Sequence, residues 1–275
     1  MLRGAIAAAL TPLRDGALDG DAVGPYVEFL AAGGLDGVLA MGTTGEGMLF
    51  DLGERKEIAS AFVDAVAGRL QVAVHAGMQT TRDTVALAEY AAAIAADAVA
   101  VIPPPYFPLD DDALFAHLAA AARACAPVPF YVYEFERASG YAVSRDVLDR
   151  LRDAAPNLAG MKVSDSPYEK FARYLDVGLD VFVGPEAFIG RGTDAGAVGA
   201  VSALASAFPE RVVAAVRDRS DELASLRESI ERFPRHAALK HVVRRRGVPV
   251  RAEVRPPLRL LTQEEERDLD AALAG

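Results

Sequence analysis

Residues 157–165 read NLAGMKVSD, and the reading of this stretch decides the fold. From Leu158 to Val163 the run is small, apolar and β-tolerant, the composition of a strand covered on both faces in a parallel sheet, except that Lys162 stands near its end. Runs of the same kind recur on both sides of it: GAIAAAL (4–10), GVLAM (37–41), QVAVHA (71–76), DAVAVI (97–102), PFYVY (129–133), DVFVG (180–184) and VGAVSA (198–203). Between most of them lie helical patterns such as ERKEIASAFVDAVAGRL, TRDTVALAEYAAAIAA and DDALFAHLAAAARACA, where alanine, leucine and charges fall at three-and-four spacing. Strand and helix alternating through about eight strands predict an α/β fold, a (β/α)8 TIM barrel, and the length suits it better than an open doubly wound sheet. The barrel is expected over residues 1–207. Residues 208–275 are rich in helix formers, with no strand run apart from the Pro-rich VPVRAEVRPPLRLL, and are expected as a C-terminal helical region packed on the barrel. No Gly, Ser or Pro linker separates the two parts.

Of 275 residues, 52% are hydrophobic and 25% charged, enough for a full core. A net charge of −10 weighs against nucleic acid or an anionic membrane as partner, so HVVRRR (241–246) is expected as a solvated helix end. MLRGAIAAALTPLRDG holds too short an apolar run for an export signal, and no stretch is long enough to span a membrane. Cys125 is the only cysteine, which rules out an intrachain disulfide and leads to the expectation of a cytoplasmic protein; in AAARACAP it reads as a small hydrophobe on a helix face.

In such a barrel the chemistry sits where strands end. Here the strand ends read Thr11-Pro12, GTTGEG (42–47), AGMQTT (76–81), PPPYF (103–107), YEFER (133–137), KVSDS (162–166), GPEAF (184–188) and SALAS (202–206). Alternation places Leu158, Gly160 and Lys162 on one face of their strand, and Tyr131 and Tyr133 on one face of the strand before it. If both faces point inward, Lys162 meets Tyr133. Lysine is scarce, occurring only at 56, 162, 170 and 240, and unlike arginine it is able to lose its proton when desolvated. A neutral amine at a barrel mouth attacks ketones, and the protonated imine that results is an electron sink for the neighbouring carbon–carbon bond. The alternative is an ammonium paired with Asp165 or another carboxylate at the strand end.

These elements together resemble the dihydrodipicolinate synthase / N-acetylneuraminate lyase family of pyruvate-dependent class I aldolases. The resemblance is carried by GAIAAALTPL, by Gly42-Thr43-Thr44-Gly45-Glu46, by VIPPPYF, by PFYVY with Ser139-Gly140 beyond it, by Gly160-Met161-Lys162 and by VGAVSALASAFPE, in family order over nearly the whole chain. It implies a Schiff base between Lys162 and pyruvate or another 2-keto acid, condensed with or released from an aldehyde, with no cofactor. Tyr133 would shuttle protons, and Thr43, Thr44 and Gly45 would hold the keto-acid carboxylate. Tyr106 matches a phenol that some members lend across a subunit interface, implying a homo-oligomer, a tetramer or a dimer. Gly184, Glu186 and Ser202 fall where the rest of the substrate would bind.

The chain departs from the family pattern after the tyrosine. Asn or His, an apolar residue and proline are replaced by Glu134-Phe135-Glu136, and the arginine that grips the second substrate's carboxylate is replaced by Ala138, with Arg137 next to it. Two carboxylates and a missing cation suggest a hydroxyl-rich aldehyde, hence cleavage or formation of a 2-keto-3-deoxy sugar acid. Simple solvation of both glutamates at a loop tip is the other reading. The alternatives for the whole chain are 4-hydroxy-tetrahydrodipicolinate synthase and a keto-acid-binding member without catalysis. No metal site is expected, because His75, His117, His236 and His241 are scattered, and GRGTDAG (190–196) does not fit a nucleotide loop.

Overall fold

Each apolar run becomes a strand that starts within one residue of its expected place. In the computed structural model, which describes residues 1–274, these strands are β1 (Gly4–Ala8), β2 (Gly37–Ala40), β3 (Gln71–His75), β4 (Ala98–Val101), β5 (Phe130–Glu134), β6 (Leu158–Val163), β7 (Asp180–Val183) and β8 (Gly199–Ser202). All pair in parallel with their sequence neighbours, and β8 returns to β1, closing the barrel. Period-two alternation sorts the side chains into two cores. The interior is filled by Ile6, Ala8, Leu39, Ala73, Ala98, Ala100, Tyr131, Phe182 and Val201, whereas Phe130, Val132, Met161 and Val163 face the surrounding helices. Small residues dominate the interior because two rings, Tyr131 and Phe182, occupy so much of it, edge to face at 6.0 Å.

Alternation fails at one expected position. Phe130 pairs with Leu158 but Tyr131 with Gly160, so an irregularity at Ala159 turns Leu158 onto the helix side, away from the face it was expected to share with Gly160 and Lys162. Gly160 itself is required there, since a Cβ would lie 2.8 Å from the Tyr131 ring. From this point the register is regular, and Tyr133 stands directly beside Lys162.

The outer helices start where side chains satisfy their first N–H groups: Asp51 and Glu54 form a capping box, and Thr80, Asp110 and Ser144 cap the helices 81–93, 111–125 and 145–154. Cys125, packed inside one of them, has its thiol pushed up to about 11 by burial. Helix Pro209–Asp218 packs against β1 and β8 and completes the eighth βα unit, so the limit expected at residue 207 falls between the eighth strand and its own helix. Helices Ala224–Glu231, Arg235–Arg245 and Gln263–Ala274 follow it. A short hairpin, Leu13–Arg14 with Ala17–Leu18, was not anticipated; Asp15 and Gly16 both take positive φ in its turn, as an Asp-Gly pair permits. No helix among the described residues is long and apolar enough to cross a membrane.

Candidate active site

The carboxyl ends of the strands surround a cavity of ≈ 870 Å³. Lys162 enters it from the end of β6, 7% exposed, with Nζ 4.0 Å from the centre of the Tyr133 ring. Among the described residues Lys162 forms no ion pair, whereas Lys170 is paired with Glu136 and Lys240 with Glu46. Asp165, one of the two readings for a partner, instead accepts the main-chain N–H groups of Glu136 at 3.1 Å and Arg137 at 3.5 Å. It anchors a loop, not the lysine.

Tyr133 is held from three sides. Its hydroxyl lies 3.0 Å from Thr43 Oγ1, the His75 ring meets it edge-on at 5.8 Å, and the Phe135 ring lies parallel to it at 6.3 Å. Burial alone would raise the phenol; the Lys162 charge, with hydrogen bonding from Thr43, Lys162 and Ser164, outweighs it and leaves the group below the ordinary tyrosine range. Burial and the nearby Arg55 guanidinium hold His75 well below its usual range, so it stands beside the phenol as a neutral ring. This is the environment of a proton carrier.

The GTTGEG turn forms the adjacent wall. Thr43 and Thr44 line the cavity, and their main-chain N–H groups have no main-chain acceptor among the described residues, which leaves donors for an anion. His236 Nε2 donates to the Thr43 carbonyl at 2.9 Å. Glu46 is turned inward on a left-handed backbone, φ 60°, where Oε1 accepts from Lys240 Nζ at 2.6 Å and Oε2 from the Arg255 N–H at 2.6 Å. Neither Glu46 nor Lys240 has any exposed side chain. The C-terminal region thus braces the turn from behind.

Of the expected site residues, Lys162, Tyr133, Thr43, Thr44, Gly184 and Glu186 line one cavity. Three others do not. Gly45 is packed against the backbone, where a Cβ would lie 2.7 Å from the Ala9 carbonyl, and its own carbonyl accepts from Thr11. Ser202 is fully buried and donates to Glu186 Oε1 at 2.7 Å. Tyr106, 82% exposed with φ 82°, projects outward beside Phe107. Glu186 also accepts from the Leu204 N–H and pairs with Arg227; burial would raise its carboxyl, but Arg227, Ser202 and Leu204 hold it below the usual range. It is therefore a braced ion-pair partner rather than a free hydroxyl acceptor.

The loop after β5 also differs from expectation. Glu134 is not at a solvated tip: it is the last residue of β5, unexposed, with Oε2 accepting the Val143 N–H at 3.0 Å. Since Tyr133 points inward, its neighbour points outward into the helix layer. Glu136 lines the cavity but is paired with Lys170 at 2.9 Å. Arg137 and Ala138 both line it, and Arg137 forms no ion pair among the described residues. Sequence reasoning missed Arg227, Arg235 and His236. They come from the C-terminal helices, whose place over the barrel mouth no local pattern reports. No cluster of three potential metal ligands occurs among the described residues.

A family model described as the dihydrodipicolinate synthetase family matches residues 1–275. The chain is 33% identical over 273 residues to an uncharacterized DapA-like lyase of Halobacterium salinarum, covering 94% of this chain and 89% of the relative. It is 31% identical over 283 residues to a 4-hydroxy-tetrahydrodipicolinate synthase of Thermus thermophilus, covering 98% and 94%. Among solved structures it is similar to the N-acetylneuraminate lyase of Proteus mirabilis, with TM-score 0.89 and 30% identity over 99% of this chain and 98% of that one.

Proposed function

We infer the activity from one premise: the chain belongs to the dihydrodipicolinate synthetase family. On it we propose a lysine-dependent carbon–carbon lyase or synthase that joins pyruvate to an aldehyde or releases it, with cleavage of a 2-keto-3-deoxy sugar acid as the main reaction. The observation that carries this reading is the group of Lys162, Tyr133 and Thr43, an amine without a carboxylate partner lying over a phenol that is itself hydrogen-bonded to a hydroxyl.

In the proposed reaction Lys162 Nζ adds to the keto carbon, and Tyr133 passes the proton that lets water leave and the iminium form. The keto-acid carboxylate takes the free N–H groups and hydroxyls of Thr43 and Thr44. Tyr133 then accepts the proton of the C4 hydroxyl as the C3–C4 electron pair moves into the iminium. Aldehyde leaves, and protonation and hydrolysis of the enamine return pyruvate and Lys162. The outer lining suits a polyhydroxy chain because its charges neutralise one another: Glu136 with Lys170, Glu186 with Arg227, and Glu231 with Arg227 and Arg235. A homo-oligomer in which the exposed Tyr106 meets a second copy, and a cytoplasmic setting, belong to the same proposal.

A second reading has its own observation. Arg137 lines the cavity unpaired, and an aldehyde bearing a carboxylate, such as aspartate semialdehyde, would complete it. The test compares wild type and Arg137→Ala on 2-keto-3-deoxy sugar acids, with pyruvate detected through lactate dehydrogenase, and on semialdehyde condensation. Sugar-acid cleavage with the higher kcat/KM, little changed by the substitution, supports the main reading. Efficient condensation lost in the variant, by about ten- to a hundredfold for one charge-assisted contact, establishes the synthase.

A further inference from the structure

We propose that Glu134 is a positioning residue for the aldehyde half of the reaction: its carboxyl latches the segment from Phe135 to Val143 onto the barrel wall and so fixes where Glu136, Arg137 and Ala138 meet the substrate. This rests on the function proposed above. The segment is a short arc whose main-chain N–H groups are taken by a carboxylate at each end, while Tyr141 donates to the Pro104 carbonyl and Glu136 pairs with Lys170 between them. At its start Asp165 accepts the N–H groups of Glu136 and Arg137; at its end Glu134 Oε2 accepts that of Val143. Between them a single helical turn, 136–139, closes on Gly140 at φ 89°, and Ser139 Oγ donates to the Tyr141 carbonyl at 2.7 Å. Without the Val143 contact the C-terminal end of the arc keeps only the Tyr174 and Tyr141 hydroxyl contacts, with no carboxylate on its N–H groups.

The surroundings of Glu134 favour a neutral carboxyl. Its side chain is unexposed, and Oε1 is buried with no hydrogen-bond partner. Tyr174 spends its one proton on the Val143 carbonyl at 2.8 Å and receives a hydrogen bond from Arg173 at 3.0 Å, so that proton does not serve Glu134. The Val143 N–H favours a carboxylate, but among the described residues it is the one hydrogen bond the Glu134 side chain accepts. The other charges nearby are Asp165, which opposes ionisation, Arg173 at 3.7 Å, which favours it, and Glu136, itself engaged by Lys170 and Arg173. Burial, the largest influence, pushes the Glu134 carboxyl up to about 8. Near neutral pH the latch is therefore the acid form, and it ionises just above.

The test uses the full chain and the variants Glu134→Gln and Glu134→Ala between pH 5 and 9.5. In the wild type, KM for the sugar acid rises as pH climbs to ~8 and levels off above it, while the yield of borohydride-trapped pyruvate adduct stays level. Glu134→Gln, neutral at every pH and still able to accept from Val143, keeps the low KM and abolishes the rise. Glu134→Ala raises KM about tenfold throughout, the factor set by one buried N–H left without an acceptor, and spares the adduct. Amide hydrogen exchange over 135–143 needs no turnover: protection in the wild type falls relative to Glu134→Gln as pH rises from ~5 to ~8 and stays level above that. A protection difference that stays the same from pH ~5 to ~8 would overturn the proposal, as would a Gln variant that repeats the wild-type rise in KM. A wild type that forms no pyruvate adduct yet shows the exchange difference would refute the function and leave the latch standing.

Discussion

Lys240→Met removes an ammonium that has no exposed side-chain surface and strands Glu46 behind the turn carrying Thr43 and Thr44. Breaking a buried pair from one side costs ~3–5 kcal/mol, chiefly because the surviving charge stays in a poorly polarisable interior. Here Glu46 keeps the Arg255 N–H, while the Glu253 carbonyl also loses its donor, so a loss of ~3–4 kcal/mol is expected, a large share of a total stability of ~5–15. Urea titration followed by circular dichroism measures it, with the same slope and an earlier midpoint. Glu46→Gln should lose a similar amount, and the double variant should lose ~1 kcal/mol or more less than the sum of the singles, since neither charge is then left alone. Pyruvate trapping should weaken in both single variants. A Lys240→Met protein within ~1 kcal/mol of wild type, or additive losses in the double variant, would refute the brace.

Tyr133→Phe keeps the ring beneath Lys162 but removes the hydroxyl at Thr43; turnover should fall by ~10²–10⁴ while a pyruvate adduct still forms, and undiminished turnover would take the phenol out of the mechanism. Glu134 makes stability depend on pH. Its carboxyl ionises at about 8 in the fold against an ordinary 4.5, so the fold binds more protons than the unfolded chain across that window and stability falls as pH rises through it. Glu134→Gln should therefore gain on the wild type between pH 5 and 8, by an amount on the order of 3 kcal/mol, and level off above; a gain independent of pH would contradict the assignment.

Most of the fold was legible because strands covered on both faces must be continuous apolar runs, and eight such runs were plain in the chain. Alternation likewise placed Lys162 beside Tyr133. It misplaced Leu158, because an irregularity at Ala159 leaves no mark in composition. Glu134 was read as a loop residue on account of its charge, although the parity that put Tyr133 inside already sent its neighbour outward. Glu186 and Ser202 were expected as substrate-binding residues; Glu186 lines the cavity and Ser202 is buried behind it, and the pairing of Glu186 with Arg227 depends on a helix that follows the barrel. Contacts made by Arg227, Arg235, His236 and Lys240 cross long stretches of sequence and obey no period.

The central claim is that Lys162 is the amine that holds the keto acid. Incubation with pyruvate and borohydride, followed by peptide mapping, tests it most directly. The account predicts a reduced adduct on Lys162 alone, abolished in Lys162→Arg because a guanidinium does not serve as the nucleophile. An adduct on Lys170 or Lys240, or one that survives in Lys162→Arg, would contradict it.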